Sequence, residues 1–141
     1  MFRLIILIGN ATVFILMLSA CGAPDPQPWR SVTTMSPKNL SELDNGSTVT
    51  LQVGESLDLS LAANPTTGYQ WEVAADDSAV IKQVGEPDYK ANSEALGAGG
   101  TVTFHFVAVA PGQTTLKLIY HRPFEKDTPP LKTFEVTAIV Q

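Results

Sequence analysis

A chain of 141 residues and 15.1 kDa has room for one ordinary domain and little more. Fourteen acidic residues against nine basic ones give a formal net charge of −5. The negative net charge argues against a nucleic-acid partner and against binding to anionic lipid through clustered basic residues, since both require a basic surface. The single cysteine excludes any disulfide within the chain.

The first twenty residues have the pattern of an export signal. Arg3 gives the N-terminus a positive charge, and an apolar run follows at residues 4–18. This run is shorter than a typical transmembrane helix. Residues 18–21, Leu-Ser-Ala-Cys, resemble the lipobox of bacterial lipoprotein precursors. The resemblance implies cleavage before Cys21 and lipidation of Cys21, with palmitate among the acyl groups. It also implies a lipid-anchored place in the bacterial cell envelope, at the outer membrane and facing the periplasm. An ordinary secretory signal followed by a buried cysteine is the alternative.

Residues 21–44 are expected to form an extended tether between the lipid and the domain. Four prolines at positions 24, 26, 28 and 37 cannot donate hydrogen bonds to a neighbouring strand. Such a segment holds a domain away from the membrane. The turn signal Asn45-Gly46 marks the predicted start of a single domain, residues 45–141.

From residue 48 onward, apolar and polar residues alternate with a period of two. This pattern is typical of antiparallel strands that place one face on a single core. We predict about seven strands, near residues 48–53, 57–61, 69–73, 80–84, 101–106, 115–120 and 134–140. No segment competes as a long amphipathic helix. The sequence therefore predicts an all-β, immunoglobulin-like antiparallel sandwich with Trp71 in its core.

No arrangement of titratable residues indicates catalysis or metal binding. His105 and His121 lack the spacing of a zinc pair, and each is expected to be a solvated or strand-edge histidine. Asp76-Asp77 fits a solvated turn better than a pair of catalytic carboxylates. No Gly-rich loop opens a helix, and no nucleophile accompanies a base. We therefore expect no enzyme, no cofactor and no metal, and we expect the function to lie in loops.

Three loops of unusual composition are predicted at one end of the sandwich. The first loop, Asn64–Tyr69, joins the second and third predicted strands. The second loop, Glu94–Gly100, leads into the fifth strand, and the third loop, His121–Phe124, leads out of the sixth. Because these connections of an immunoglobulin-like sandwich emerge at the same end, the three loops should share one surface.

The three loops resemble the loop motifs of chagasin-type inhibitors of papain-like cysteine peptidases. The matching residues, in chain order, are Asn64, Pro65, Thr66, Thr67, Gly68 and Tyr69, then Gly97, Ala98, Gly99 and Gly100, then Arg122, Pro123 and Phe124. The similarity covers about residues 45–141 and departs at Phe124, where the family usually has Trp. It implies a reversible, non-covalent inhibitor whose first loop enters the active-site cleft while the other two hold either side. We expect a monomer whose partner is a papain-like cysteine peptidase.

The residue types of the loops fit this role. Pro65 and Gly68 make the first loop stiff before binding, which limits the ordering entropy of association. The glycines of the second loop leave its backbone accessible to an extended partner. Phe124 beside Arg122 supplies an aromatic anchor. The alternative function is a lipid-anchored adhesion or envelope-assembly sandwich that binds another protein through these loops or through an exposed edge strand.

Overall fold

The computed structural model describes residues 35–141, so the predicted signal peptide, Cys21 and the tether as far as residue 34 lie outside the described residues. The described residues belong to one compact unit. The strands of the described range are β1 (Lys38–Ser41), β2 (Thr48–Leu51), β3 (Ser56–Ala63), β4 (Gln70–Ala75), β5 (Ile81–Gln83), β6 (Asp88–Ala91), β7 (Gly100–Ala108), β8 (Gly112–His121) and β9 (Lys132–Val140). Two short 3-10 helices, Glu42–Asp44 and Pro65–Thr67, lie between strands. No helix of residues 35–141 is long and apolar enough to cross a membrane.

The strands form two sheets, which confirms the predicted all-β sandwich. One sheet has the order β1-β3-β7-β5, with β6 also paired to β7, and the other has the order β2-β9-β8-β4. Both sheets are mixed rather than purely antiparallel, because β1 pairs with β3 and β2 pairs with β9 in the parallel direction. The strand number also exceeds the predicted seven through β1 and β6. Neither of these strands carries an alternating apolar pattern, since β6 is exposed throughout and β1 buries only Leu40.

The folded part of the chain begins earlier than residue 45. Lys38–Ser41, which we expected in the tether, pair with Leu57–Ser60 of β3. Leu40 joins the hydrophobic core. The following 3-10 turn is fastened to β9, because Asn45 Oδ1 accepts a hydrogen bond of 2.8 Å from the backbone N–H of Glu135.

The core lies between the inner faces of the two sheets, as the alternation predicted. The buried side chains of the four longest strands are Leu57, Leu59 and Leu61 on β3, Phe104, Phe106 and Ala108 on β7, Leu116, Leu118 and Tyr120 on β8, and Phe134, Val136, Ala138 and Val140 on β9. Trp71 on β4 is buried too, and its indole Nε1 donates a hydrogen bond of 3.0 Å to the carbonyl of Ala62 on the opposite sheet. Trp71 therefore ties the sheets together just below the first loop.

Candidate functional site

The first loop is a single capped 3-10 turn. The Oδ1 atom of Asn64 accepts hydrogen bonds from the backbone N–H and the hydroxyl of Thr66, at 3.3 and 2.6 Å. The hydroxyl of Thr67 donates to the carbonyl of Asn64 at 2.6 Å. Gly68 ends the turn at φ +80°, in the left-handed region that favours glycine. The loop is thus held by its own hydrogen bonds, and both threonine hydroxyl protons are used inside it.

An aromatic stack supports the base of the first loop. The backbone N–H of Asn64 donates a hydrogen bond of 2.9 Å to the phenolic oxygen of Tyr120. The Tyr120 ring lies between those of Tyr69 and Trp71, with centroid distances of 5.4 and 5.1 Å. Aromatic pairs in this range stabilise beyond the area that they bury. The base of the first loop is therefore packed against buried aromatic residues of the core.

The second loop lies against one side of the first. The side-chain amide of Asn64 donates a hydrogen bond of 3.2 Å to the carbonyl of Gly97. A β-carbon placed on Gly99 would lie 3.9 Å from the β-carbon of Asn64. Gly97 itself has φ +80° and open space around it, so glycine is needed there for the turn rather than for packing.

Gly100 does not have the exposed role that the sequence suggested. It is buried as the first residue of β7, paired with Ala63 on one side and Ala91 on the other. A side chain there would collide with the carbonyl of Lys90 and would come within 2.6 Å of the Tyr89 ring. Because its backbone is enclosed by the sheet, Gly100 closes the packing of β6 on β7 rather than forming part of the exposed loop.

The third loop lies against the first loop as well. Arg122 Nε donates a hydrogen bond of 3.2 Å to the carbonyl of Thr67, and the guanidinium lies 4.4 Å from the centre of the Tyr69 ring. Glu125 accepts a hydrogen bond of 2.9 Å from Arg122 Nη1 and raises the pKa of that guanidinium further above its ordinary value. A β-carbon on Gly68 would lie only 3.2 Å from the Phe124 ring.

The structure brings all three predicted loops together, but their residues divide by exposure. The exposed ones are Pro65, Thr66, Thr67, Gly97, Pro123 and Phe124, and the half-buried ones are Asn64, Gly68, Tyr69, Ala98, Gly99 and Arg122. Tyr69 and Arg122 hold the first loop from beneath and from the side. The exposed members therefore form the outer surface of the loop end, and the half-buried members position them.

Sequence reasoning missed Leu96, at the tip of the second loop. Its side chain is as exposed as in a free peptide, at 104%. The turn that carries it is closed by a hydrogen bond of 3.0 Å from the N–H of Ala98 to the carbonyl of Ala95. The sequence does contain a signal for an exposed apolar residue at this place, because Leu96 is the one large apolar residue among the small and polar residues 91–100. Leu96 is therefore outside the core and adds a large apolar side chain to the loop end.

Both histidines lie on strands, His105 within β7 and His121 at the last position of β8, where the third loop begins. His105 on β7 is held between the carboxylates of Asp58, at 2.8 Å, and Asp88, at 3.1 Å. These hydrogen bonds, that to Asp58 first, raise the pKa of His105 above its ordinary value. His121 at the end of β8 contacts Glu72 at 2.7 Å. Each histidine thus hydrogen-bonds to carboxylates at the partly exposed surface, and neither lies on an edge strand, because β7 and β8 both have neighbours on either side.

The protein is thus a β-sandwich with three mutually contacting loops at one end. Residues 50–138 match the family described as "Chagasin family peptidase inhibitor I42". Chagasin from Trypanosoma cruzi is 34% identical over 89 residues, which cover 60% of this chain and 81% of that protein. The chain therefore belongs to the chagasin family of peptidase inhibitors. This family consists of inhibitors and not enzymes, which confirms the prediction that the chain has no catalytic role.

Solved structures show the same fold. The cysteine protease inhibitor EhICP2 from Entamoeba histolytica superposes with a TM-score of 0.69 at 24% identity, covering 77% of this chain and 98% of that one. PbICP-C, solved in complex with falcipain-2, superposes with a TM-score of 0.54 at 22% identity, covering 76% of this chain and 94% of that one. These likenesses confirm the immunoglobulin-like sandwich predicted from the sequence.

Proposed function

We propose that this chain is a reversible, non-covalent inhibitor of papain-like cysteine peptidases, which blocks the active-site cleft with its three loops. The observation that carries the proposal is the mutual contact of the loops: Asn64 bonds to the second loop, while Thr67 and Gly68 contact the third. Membership in a family of peptidase inhibitors supports it. Neither observation favours the adhesion alternative.

The first loop has the properties of a plug that resists cleavage. Its exposed tip, Pro65–Thr67, carries no charge, so no ion must be desolvated when it enters a cleft. A peptide bound like a substrate adopts an extended backbone that pairs with the cleft. The capped turn can reach that geometry only by breaking the hydrogen bonds around Asn64. The loop therefore fills the cleft and stays intact.

The flanking loops supply the anchors. Leu96 at 104% exposure and Phe124 at 70% exposure are large apolar side chains on either side of the plug. Binding energy concentrates in a few such residues, while the surrounding contacts exclude water. Phe124 stands where the family usually has Trp, so it has a smaller aromatic area and no indole N–H to bond with.

Lipid anchoring of the inhibitor is a second part of the proposal. It is supported by the lipobox-like residues 18–21 and by the place where the chain enters the fold. Lys38 pairs with Leu57 near the start of β3, whereas the first loop follows the end of β3. A tether that arrives at the end opposite the loops leaves all three available to a peptidase. Incorporation of a palmitate analogue into the exported full chain, and its loss in Cys21→Ser, tests the anchor; equal labelling of both contradicts it.

Titration of papain tests the inhibitory function. A chain of residues 22–141, which retains every described strand, is added to active papain, and the residual activity on a small peptide substrate is measured. We expect a linear loss of activity with an equivalence point of one chain per active site, competition with substrate, and recovery on dilution. Full papain activity at micromolar concentrations of the chain would refute the proposal and would favour the adhesion alternative.

A further inference from the structure

The most exposed large apolar side chains of residues 35–141 all lie at the loop end of the sandwich. Two are the anchors Leu96 and Phe124; the others are Leu43, at 96% exposure, and Leu131, at 61%. Every other exposed large apolar side chain of the described range is at most 51% exposed. Single exposed leucines are common on protein surfaces, but four at one end form a pattern that marks an interaction surface.

Leu43 reaches this end through the 3-10 turn that follows β1. Ser41, the last residue of β1, pairs with Ser60, three positions before the end of β3. Beside Leu43, the carboxylate of Glu42 lies 3.4 Å from Lys132 Nζ at the start of β9. Lys132 is in turn the direct neighbour of Leu131. The turn and the exit of the third loop are therefore adjacent.

The same lysine connects the turn to the three-loop surface. A recess of about 240 Å³ has Asn64, Gly99 and Lys132 among its walls, so it touches both the first and the second loop. The patch formed by Leu43 and Leu131, here called the flanking patch, is thus continuous with the surface that we assign to the peptidase. Continuity of this kind favours one partner that covers both.

Hydrogen bonds on both sides of Leu43 fix the backbone of the turn, and the Leu43 side chain projects into solvent. Asp44 Oδ2 accepts hydrogen bonds from the backbone N–H of Ser41, at 2.8 Å, and from its hydroxyl, at 3.1 Å, so the turn is capped. On the other side, the N–H of Gly46 donates to the carbonyl of Glu135 at 2.7 Å. The backbone that carries Leu43 is therefore ordered before binding, so only the freedom of the side chain is lost when a partner covers it.

We propose that the flanking patch is a fourth contact element for the peptidase: Leu43 and Leu131 pack on an apolar surface outside the active-site cleft, beside the wall that the third loop holds. This inference rests on the proposed inhibitory function and deepens it. The three loops would fill the active-site cleft, and the flanking patch would add a contact on the peptidase surface beside it.

Serine substitutions test the fourth contact. In the chain of residues 22–141, Leu43→Ser should raise the inhibition constant for papain about tenfold, as loss of an interfacial anchor does. Its melting temperature should stay that of the unsubstituted chain, because the Leu43 side chain is almost fully exposed. The control is Val53→Ser, at an exposed apolar residue of the opposite end, which should leave inhibition unchanged.

Three results would overturn the inference, each in a distinguishable way. An inhibition constant within about twofold of the unsubstituted value for Leu43→Ser, while Phe124→Ala weakens inhibition, would remove the fourth contact and keep the proposed function. A lowered melting temperature for Leu43→Ser would show that the chain's own N-terminal residues cover Leu43. Failure of the unsubstituted chain to inhibit papain would remove both proposals.

Discussion

Replacement of Gly68 by alanine tests whether the geometry of the first loop governs binding. Gly68 has φ +80° and ψ 0°, and a β-carbon there would lie 3.2 Å from Cε1 of Phe124. Gly54 offers a matched control at the other end of the sandwich, because its φ is +87° and nothing lies within 4 Å of an added β-carbon. Both substitutions carry the backbone strain, but only Gly68→Ala also crowds Phe124.

The strain alone should cost both variants a similar amount of stability. A left-handed conformation at alanine lowers the free energy of unfolding by about 1–2 kcal/mol. The lower entropy of the unfolded chain raises it by about 0.4–1 kcal/mol. We therefore expect the free energy of unfolding to fall by about 1 kcal/mol in each variant, which leaves a domain of ordinary stability folded. The Phe124 ring is exposed and can swing away from the new methyl group, so the contact adds little to this loss.

Inhibition should separate the two variants. Displacement of Phe124 from its place beside the first loop should raise the inhibition constant of Gly68→Ala for papain about tenfold, or 1.4 kcal/mol. Gly54→Ala should inhibit like the unsubstituted chain. Urea unfolding followed by tryptophan fluorescence gives the stabilities, and titration of papain activity gives the inhibition constants. Equal inhibition constants for the two variants would refute the claim that Gly68 and Phe124 act together in binding.

Three further predictions concern the anchor, the support and a charged cluster. Phe124→Ala should weaken inhibition of papain by about 2 kcal/mol or more, and Phe124→Trp should strengthen it; an unchanged inhibition constant in both would remove this residue from the interface. Tyr120→Phe leaves the N–H of Asn64 without its acceptor and should lower the free energy of unfolding in urea by about 1–3 kcal/mol, whereas a loss below about 0.5 kcal/mol would contradict that role. The hydrogen bond to Asp58 raises the pKa of His105 in the folded protein, so protonated His105 stabilises the fold. This contribution to the free energy of unfolding is fully present below the ordinary pKa of about 6.5 and is lost as the pH rises through the folded pKa. Urea unfolding at pH 6 and pH 8 should show this loss in the unsubstituted chain and much less of it in Asp58→Asn; the same loss in both would assign it elsewhere.

The strands that could be predicted are those whose own side chains alternate. Leu57, Leu59 and Leu61 predict β3 because a period of two can bury them only on one face of a sheet. Strands β1 and β6 could not be predicted in this way, since they exist through pairing with β3 and β7 rather than through burial of an apolar face. The parallel direction of β1 is likewise set by its partner and leaves no local pattern.

In the candidate site, too, some features follow from the sequence and others depend on contacts between residues far apart in the chain. The meeting of the three loops follows from the order of strands in a sandwich, so sequence alone could predict it. The support that Arg122 gives to Thr67 depends on a distance between residues far apart in the chain, and no local pattern contains it. The burial of Gly100 is of the same kind, because it is caused by Lys90 and Tyr89 on a strand that the sequence does not reveal.

The central claim is that the three loops together are the surface that meets the peptidase, and mapping of amide chemical shifts tests it most directly. An isotope-labelled chain of residues 22–141 is titrated with inactivated papain, and the change of each amide resonance is recorded. We predict that the largest changes fall on residues 66–69, 95–99 and 122–125, while residues 52–55 and 109–113 at the opposite end do not change. Changes confined to the opposite end, or to an edge strand away from the loops, would contradict the account.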